Sequence, residues 1–305
     1  MKHQLVSEKH DSESKNLPTL LLRAMRPADW IKNCFVAAPL FFSGQMMFPE
    51  KVFLTGLVIV AFCAISSAAY IFNDINDREL DQLHPRKKSR PIASGELGVG
   101  LATATILGLV VVAVLLVSFS WSVVGVVFGY GVINIAYSLW VKHIVIVDVF
   151  SIGLGFVLRI FSGGLAIGVP PSSWLVLATF LLSLFLALAK RRHELLLMMA
   201  DTNIHRPVLE QYSIKLVDEL ISVITPVTLL TYILYTLDAA TIARFHSTHL
   251  YLTSIFVIFG IFRYLYLVHR KDLGGSPTEL VVKDLPLLGA VASWIVAFFS
   301  IVYFS

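Results

Sequence analysis

The run Asn73-Asp74-Ile75-Asn76-Asp77-Arg78-Glu79-Leu80-Asp81 sets three carboxylates, Asp74, Asp77 and Asp81, at spacings of three and four residues. On a helix they share one face about two turns long. Like charges so close repel, and the stripe persists at low cost only with a cation among them. The donors are all oxygen, with no His or Cys at ligand spacing, which points to Mg2+ rather than Zn2+. Mg2+ commonly takes one or two carboxylates and leaves positions for substrate phosphates. Basic residues follow at once: His84, Arg86, Lys87, Lys88 and Arg90, ahead of Pro91-Ile92-Ala93-Ser94-Gly95. Acids able to hold a metal beside several cations are what a polyphosphate ligand needs. The plainer readings are a solvated helix end for the acids, and membrane topology or attraction to anionic headgroups for the bases.

Other candidates lie further along. Asp148 precedes Arg159 by eleven residues, about 16 Å along a helix and on nearly the same face. An arginine at such depth faces a polar cavity or a partner, so it contacts either substrate or a structural ion-pair partner. Lys190, Arg191 and Glu194 form a second charged end, read either as phosphate ligands or as a snorkelling helix terminus in which Glu194 pairs with Lys190. Lys32 and Asn33 suit a phosphate contact or, with Trp30, interface anchoring. His84 is placed for a general base, though a proline-flanked loop histidine is more often structural. Gly163, Gly164 and Gly168 read as close helix packing, and Arg263 as structural.

These groups must be carried by membrane helices. The chain has 305 residues, of which 57% are hydrophobic and 14% charged, with mean hydropathy +0.79. A soluble domain carries about 25% charged residues, so there is too little polar surface for a water-exposed globule. Disorder, coiled coil, collagen and a disulfide scaffold are excluded, and Cys34 and Cys63 form no CxxC motif. Nucleic-acid binding is not expected, despite a net charge of +4. The expectation is an all-α polytopic bundle of about nine transmembrane helices, at 33–48, 52–73, 98–118, 121–141, 147–168, 173–190, 216–238, 249–268 and 285–304. A polar tail, 1–22, precedes a single transmembrane domain, 23–305, with no cleavable signal peptide expected. Of the 24 Lys and Arg, only Lys51 and Arg244 fall on one side, and Arg159 and Arg263 fall inside spans. The other twenty lie on the opposite side, which puts the N-terminus and the long loops in the cytoplasm of a plasma (inner) membrane protein.

Asn73–Asp81, His84-Pro85 and Arg90-Pro91-Ile92-Ala93 together resemble the UbiA superfamily of intramembrane prenyltransferases. Within it, the chain is most similar to the branch of decaprenyl-phosphate phosphoribosyltransferases. The likeness runs from about Arg26 to Pro286. It takes in Arg26-Pro27, Trp30, Lys32, Asn33, Tyr137-Ser138, Lys142, Asp148, Phe156, Arg159, Gly163-Gly164, Ser173-Trp174, Lys190-Arg191, Glu194 and Arg263-Tyr264. The aromatic prenyltransferases of the superfamily hold a second Mg2+ on a second aspartate-rich motif at the end of a later helix. Here that place reads Lys190-Arg191-Arg192-His193-Glu194, with no aspartate pair.

The resemblance implies transfer of the 5-phosphoribosyl group from phosphoribosyl pyrophosphate to a polyprenyl phosphate in the bilayer. The catalytic and metal residues would be Asp74, Asp77 and Asp81. Lys32, Asn73, Lys87, Arg90, Tyr137, Lys142, Asp148, Arg159, Lys190, Arg191 and Glu194 would bind substrate. The product would be a lipid-linked sugar-donor precursor for cell-surface glycans. Prenyl transfer from an isoprenoid diphosphate to an aromatic acceptor shares the first motif but wants a second acidic cluster. An anion or lipid transporter would leave three clustered carboxylates without a role. Chain length of the lipid and assembly as a homo-oligomer are left open.

Overall fold

The computed structural model describes residues 16–84, 87–200 and 207–304. The described residues are helical, with no strand. In chain order the α-helices are α1 (Leu17–Met25), α2 (Ala38–Phe42), α3 (Pro49–Asn76), α4 (Arg78–Leu83), α5 (Val99–Leu116), α6 (Trp121–Leu139), α7 (Val147–Ala166), α8 (Ser173–Ala200), α9 (Ile214–Leu237), α10 (Ala239–Phe245), α11 (Ser254–Arg270), α12 (Pro277–Lys283) and α13 (Leu285–Phe304). Eight of these segments are long and apolar enough to cross a membrane: α3, α5, α6, α7, α8, α9, His249–Arg270 (which contains α11) and α13. The chain is a multi-pass membrane protein.

Local chemistry explains many of the ends. Pro49 and Pro277 open α3 and α12, where a missing N–H costs nothing. The Ser213 hydroxyl caps α9 by accepting from Leu216 N, and the Asp238 carboxylate caps α10 by accepting from Thr241 N. The outer helix α5 turns Leu107, Val111 and Leu115 outward, a composition that suits hydrocarbon rather than water. Of the four apolar cores among the described residues, the two largest share a helix. One joins α3, α5, α6 and α7 around Phe62, Val123 and Val127, and the other joins α7, α8, α9 and α11 around Phe185, Val217 and Tyr264. Helix α7 belongs to both.

The expected first span, 33–48, is not an α-helix. Residues Pro27–Ala37 form a 3₁₀ helix, followed by the short α2. This segment still runs the length of the bundle. It starts at Arg26, bonded to Asp74 at the C-terminal end of α3, and reaches Phe42, which meets the Tyr235 ring edge to face at the far end of α9. The alternation of ends required by nine crossings is therefore kept with eight long helices. The reason is tertiary. Val36 lies so close to α7 that a Cβ on Gly163 would overlap the Val36 carbonyl, and Asn33 turns inward onto α3 and α7. Irregular backbone is tolerated at membrane depth where protein encloses it.

One further expectation changes. Leu17–Leu22, assigned to the polar tail, belong to α1, whose Leu20 and Ala24 are buried, while residues 1–15 lie outside the described residues. Pro85, Arg86 and Arg206 of the basic loops also lie outside them.

Candidate active site

The acidic run does not stay on one helix. α3 ends at Asn76, Asp77 forms the turn, and α4 begins at Arg78. Asp74 and Asp81 are each 2% exposed, and they share one cation. Arg90 Nη1 donates to Asp74 Oδ1 at 3.0 Å and to Asp81 Oδ2 at 2.6 Å. Arg26 also donates to Asp74, and Lys87 Nζ stands 3.6 Å from Asp81 Oδ1. Asp77 faces the other way. It accepts from Lys142 Nζ at 2.5 Å and from the Asn73 amide at 3.0 Å. Asn76 donates to the Ser138 carbonyl at 3.4 Å, tying the end of α3 to the end of α6. The structure brings Asn73, Asp74, Asp77, Asp81, Lys87, Arg90 and Lys142 together at one end of the bundle, with the three carboxylates divided between two directions rather than on one helix face.

Arg26 belongs with them and was not among the expected site residues. Its backbone is left-handed, at φ 54 and ψ 65, although the residue before a proline is normally extended. Such a conformation costs about 1–3 kcal/mol unless its surroundings hold it. Here the carboxylate of Asp74 and the ring of Tyr70, 5.0 Å from the guanidinium, hold the side chain. The Arg-Pro pair was the available signal.

A second cluster lies where α6, α7 and α8 meet. Asp148 is 0% exposed and Arg191 2%. Arg191 Nε donates to Asp148 Oδ2 at 2.8 Å, Nη1 to Glu194, and Nη2 to the Tyr137 hydroxyl at 3.3 Å. The Tyr212 hydroxyl donates to Asp148 Oδ1 at 2.8 Å and accepts from Ile146 N at 2.7 Å. Burial first, and then the bond to Asp148, push the Tyr212 phenol above its ordinary range, so it stays a donor. Ile146 is held at φ 69 at this junction. Tyr212 is a second residue that sequence reasoning missed, since it lies 64 positions from Asp148. The last turns of α6 join the clusters: Tyr137 reaches Arg191, the Ser138 carbonyl meets Asn76, and Lys142, just beyond, reaches Asp77. Glu194 pairs with Arg191, and Lys190 is exposed on the same helix end.

Arg159 is 4% exposed, and the protein partners that hold it are neutral rather than the carboxylate of a structural ion pair. Its Nε donates to Asn33 Oδ1 at 2.9 Å, Nη1 to the Gly155 carbonyl at 2.9 Å and Nη2 to the Tyr130 hydroxyl at 2.8 Å. The guanidinium lies over the Tyr130 ring at 4.7 Å. Neutral dipoles and aromatic faces therefore hold the charge and fasten the first crossing to α6 and α7. Lys32 pairs with Asp29 one turn back, and Trp30 donates to Ser67 at 3.0 Å. Arg263 makes a two-point pair with Asp284, at 3.0 and 2.8 Å, as a structural reading requires.

The oxygen-only donors of the first cluster fit Mg2+, since Asp74 and Asp81 flank a single point and Asp77 adjoins Asn73. They do not form a ready three-carboxylate cage. Among the described residues no three His, Cys, Asp or Glu side chains are grouped closely enough to hold a metal. The arrangement sets four cations, Arg26, Lys87, Arg90 and Lys142, where phosphates could bind, beside carboxylates that could hold a metal, at the mouth of the bundle.

Comparison with known proteins is consistent with this geometry. The profile of the UbiA prenyltransferase family matches residues 33–279. A decaprenyl-phosphate phosphoribosyltransferase of Corynebacterium glutamicum is 30% identical over 95% of this chain and 88% of its own length. Its namesake in Mycolicibacterium smegmatis is 31% identical over 95% of both chains. The solved structure of a UbiA homologue from Archaeoglobus fulgidus, bound to GPP and Mg2+, superposes with a TM-score of 0.68. It covers 93% of this chain and 99% of that one at 16% identity, a likeness of fold.

Proposed function

The chain belongs to the UbiA prenyltransferase family, and from that premise we propose that it is a polyprenyl-phosphate phosphoribosyltransferase. It moves the 5-phosphoribosyl group of phosphoribosyl pyrophosphate to a polyprenyl phosphate and releases diphosphate. The observation that carries this reading is the end of α8. There Arg191, paired with Asp148 and Glu194, stands in the place where prenyl transfer from a diphosphate would want aspartates. The named relatives at about 30% identity over most of the chain support it.

The chemistry follows from the charges at the mouth. Arg26, Arg90, Lys87 and Lys142 receive the donor's phosphates, with Arg forking onto two oxygens and Lys acting as a point charge. Mg2+, held by Asp74, Asp77 and Asp81, would supply charge neutralisation for the departing diphosphate. The bond between C1 and the diphosphate oxygen breaks, and the leaving group takes the electron pair. An ionised oxygen of the polyprenyl phosphate forms the new bond to C1 from the opposite face, inverting it. No general base is needed, because the attacking oxygen carries no proton, and so His84 has no proton to take. Lys190 and Arg191 receive the acceptor's phosphate, while its apolar tail lies between helices, open sideways to lipid. A mouth on the cytoplasmic side of the plasma membrane is supported by the distribution of Lys and Arg.

The test is direct. The purified protein is given Mg2+ with either phosphoribosyl pyrophosphate and a polyprenyl phosphate, or an isoprenoid diphosphate and an aromatic acceptor. Diphosphate release with the first pair alone is expected. Release with the second pair alone would overturn the assignment.

A further inference from the structure

The first cluster carries more positive than negative charge before any ligand arrives. Asp74, Asp77 and Asp81 supply three carboxylates, and Arg26, Arg90, Lys87 and Lys142 supply four cations bonded or paired to them. The closest of these pairs are enclosed: Asp74 and Asp81 are buried, and the Lys142 side chain is only 12% exposed. A divalent ion entering alone would bring two positive charges into a group that already has a surplus of one. It would also have to displace Arg90, which spans Asp74 and Asp81 through a single nitrogen. A diphosphate entering with the metal reverses the balance. The displaced guanidinium then has phosphate oxygens to bond, and charge-assisted bonds of equal kind replace those it gave up.

We infer that metal and donor diphosphate enter this site together, by exchange of counter-ions. Arg26, Arg90, Lys87 and Lys142 neutralise the carboxylates in the free protein and pass to the phosphates as the metal takes their place. Arg90 is the central element, because it bridges Asp74 and Asp81 through one nitrogen. Arg26 is the second, with its backbone held left-handed so that the guanidinium meets Asp74. No bond to carbon forms or breaks in this exchange. The cations change partners, and the metal cannot occupy Asp74 and Asp81 while Arg90 bridges them. The inference rests on the proposed assignment of Asp74, Asp77 and Asp81 to the metal, but not on which diphosphate ester is the donor.

The experiment measures binding rather than turnover. Mn2+ serves as the metal probe, followed by electron paramagnetic resonance, and inorganic pyrophosphate stands in for the diphosphate. The whole protein in detergent is titrated with Mn2+ alone and with protein-saturating pyrophosphate, against a protein-free pyrophosphate control. Affinity of the protein for Mn2+ is expected to rise at least tenfold with pyrophosphate. In Arg90→Gln, Mn2+ alone should bind severalfold more tightly than in the wild type, and the gain from pyrophosphate should shrink. Arg26→Gln should act in the same direction to a smaller extent, and it serves if Arg90→Gln fails to fold. Equal Mn2+ affinity with and without pyrophosphate in the wild type would overturn the exchange, as would unchanged or weaker Mn2+ binding in both variants. Pyrophosphate is common to every candidate donor, so a failure of the phosphoribosyl assignment leaves this result standing, and the reverse also holds.

Discussion

Replacing Asp148 with Ala removes a carboxylate that is 0% exposed and accepts two bonds, from Arg191 Nε and the Tyr212 hydroxyl, both at 2.8 Å. The Arg191 guanidinium remains inside the protein with Glu194 and Tyr137 as its partners, and the Tyr212 donor loses its acceptor. Breaking a buried ion pair from one side costs about 3–5 kcal/mol, and a stranded buried donor about 1–3 kcal/mol. The two figures describe the same lost carboxylate in part, so the expected loss is about 4 kcal/mol rather than their total. Replacing both partners with apolar residues, as Asp148→Leu with Arg191→Met, takes away the unpaired charge. Such exchanges are often neutral or stabilising, so at least half of the lost stability should return. Turnover should not return with it, because the proposed acceptor contact of Arg191 is gone. Reversible unfolding in detergent micelles measures the first quantity, and phosphoribosyl transfer in the same micelles the second. An Asp148→Ala protein within about 1 kcal/mol of the wild type would refute the energetic argument. A double variant no more stable than the single would do the same, and full activity in the double variant would remove Arg191 from the site.

Asp77→Ala should abolish transfer while the protein still inserts and elutes as the wild type; a chelator should stop the wild-type reaction, and excess Mg2+ should restore it. Gly163→Ala drives a Cβ into the Val36 carbonyl and should cost about 3 kcal/mol, at the top of the range for overpacking. Gly125→Ala meets nothing within 4 Å and should change stability by less than about 0.5 kcal/mol, so equal melting temperatures for the two would contradict the close packing of the first crossing. Hydrogen bonding from Arg263 holds the Asp284 carboxyl below its ordinary range. A depressed folded pKa stabilises above the unfolded value and is lost as pH falls through the folded one. The melting advantage of the wild type over Asp284→Asn should therefore be present at neutral pH and shrink below about pH 4, the ordinary aspartate range; a difference independent of pH would exclude the ion pair as its cause.

Hydropathy and charge alone were enough to read the membrane bundle, the long helices α3, α5, α6, α7, α8, α9, α11 and α13, and the face that carries the long basic loops. These properties are set by local composition, which water and hydrocarbon sort without reference to the rest of the fold. The acidic run and the basic residues after it were legible for the same reason, since they lie within about five turns of chain and must meet the same interface. The first crossing was not legible. Its apolar content matches a helix, but its conformation is decided by the approach of Val36 to Gly163 and by the bond from Arg159 to Asn33, 126 positions away. Nor could sequence show that Arg191 is tied to Asp148, Arg26 to Asp74, or Arg159 to neutral partners instead of a carboxylate. Those pairings depend on how each helix is rotated and how deep it sits against its neighbours. Hydropathy tells lipid from protein but does not distinguish one buried face from another, so only packing the helices together selects the partners.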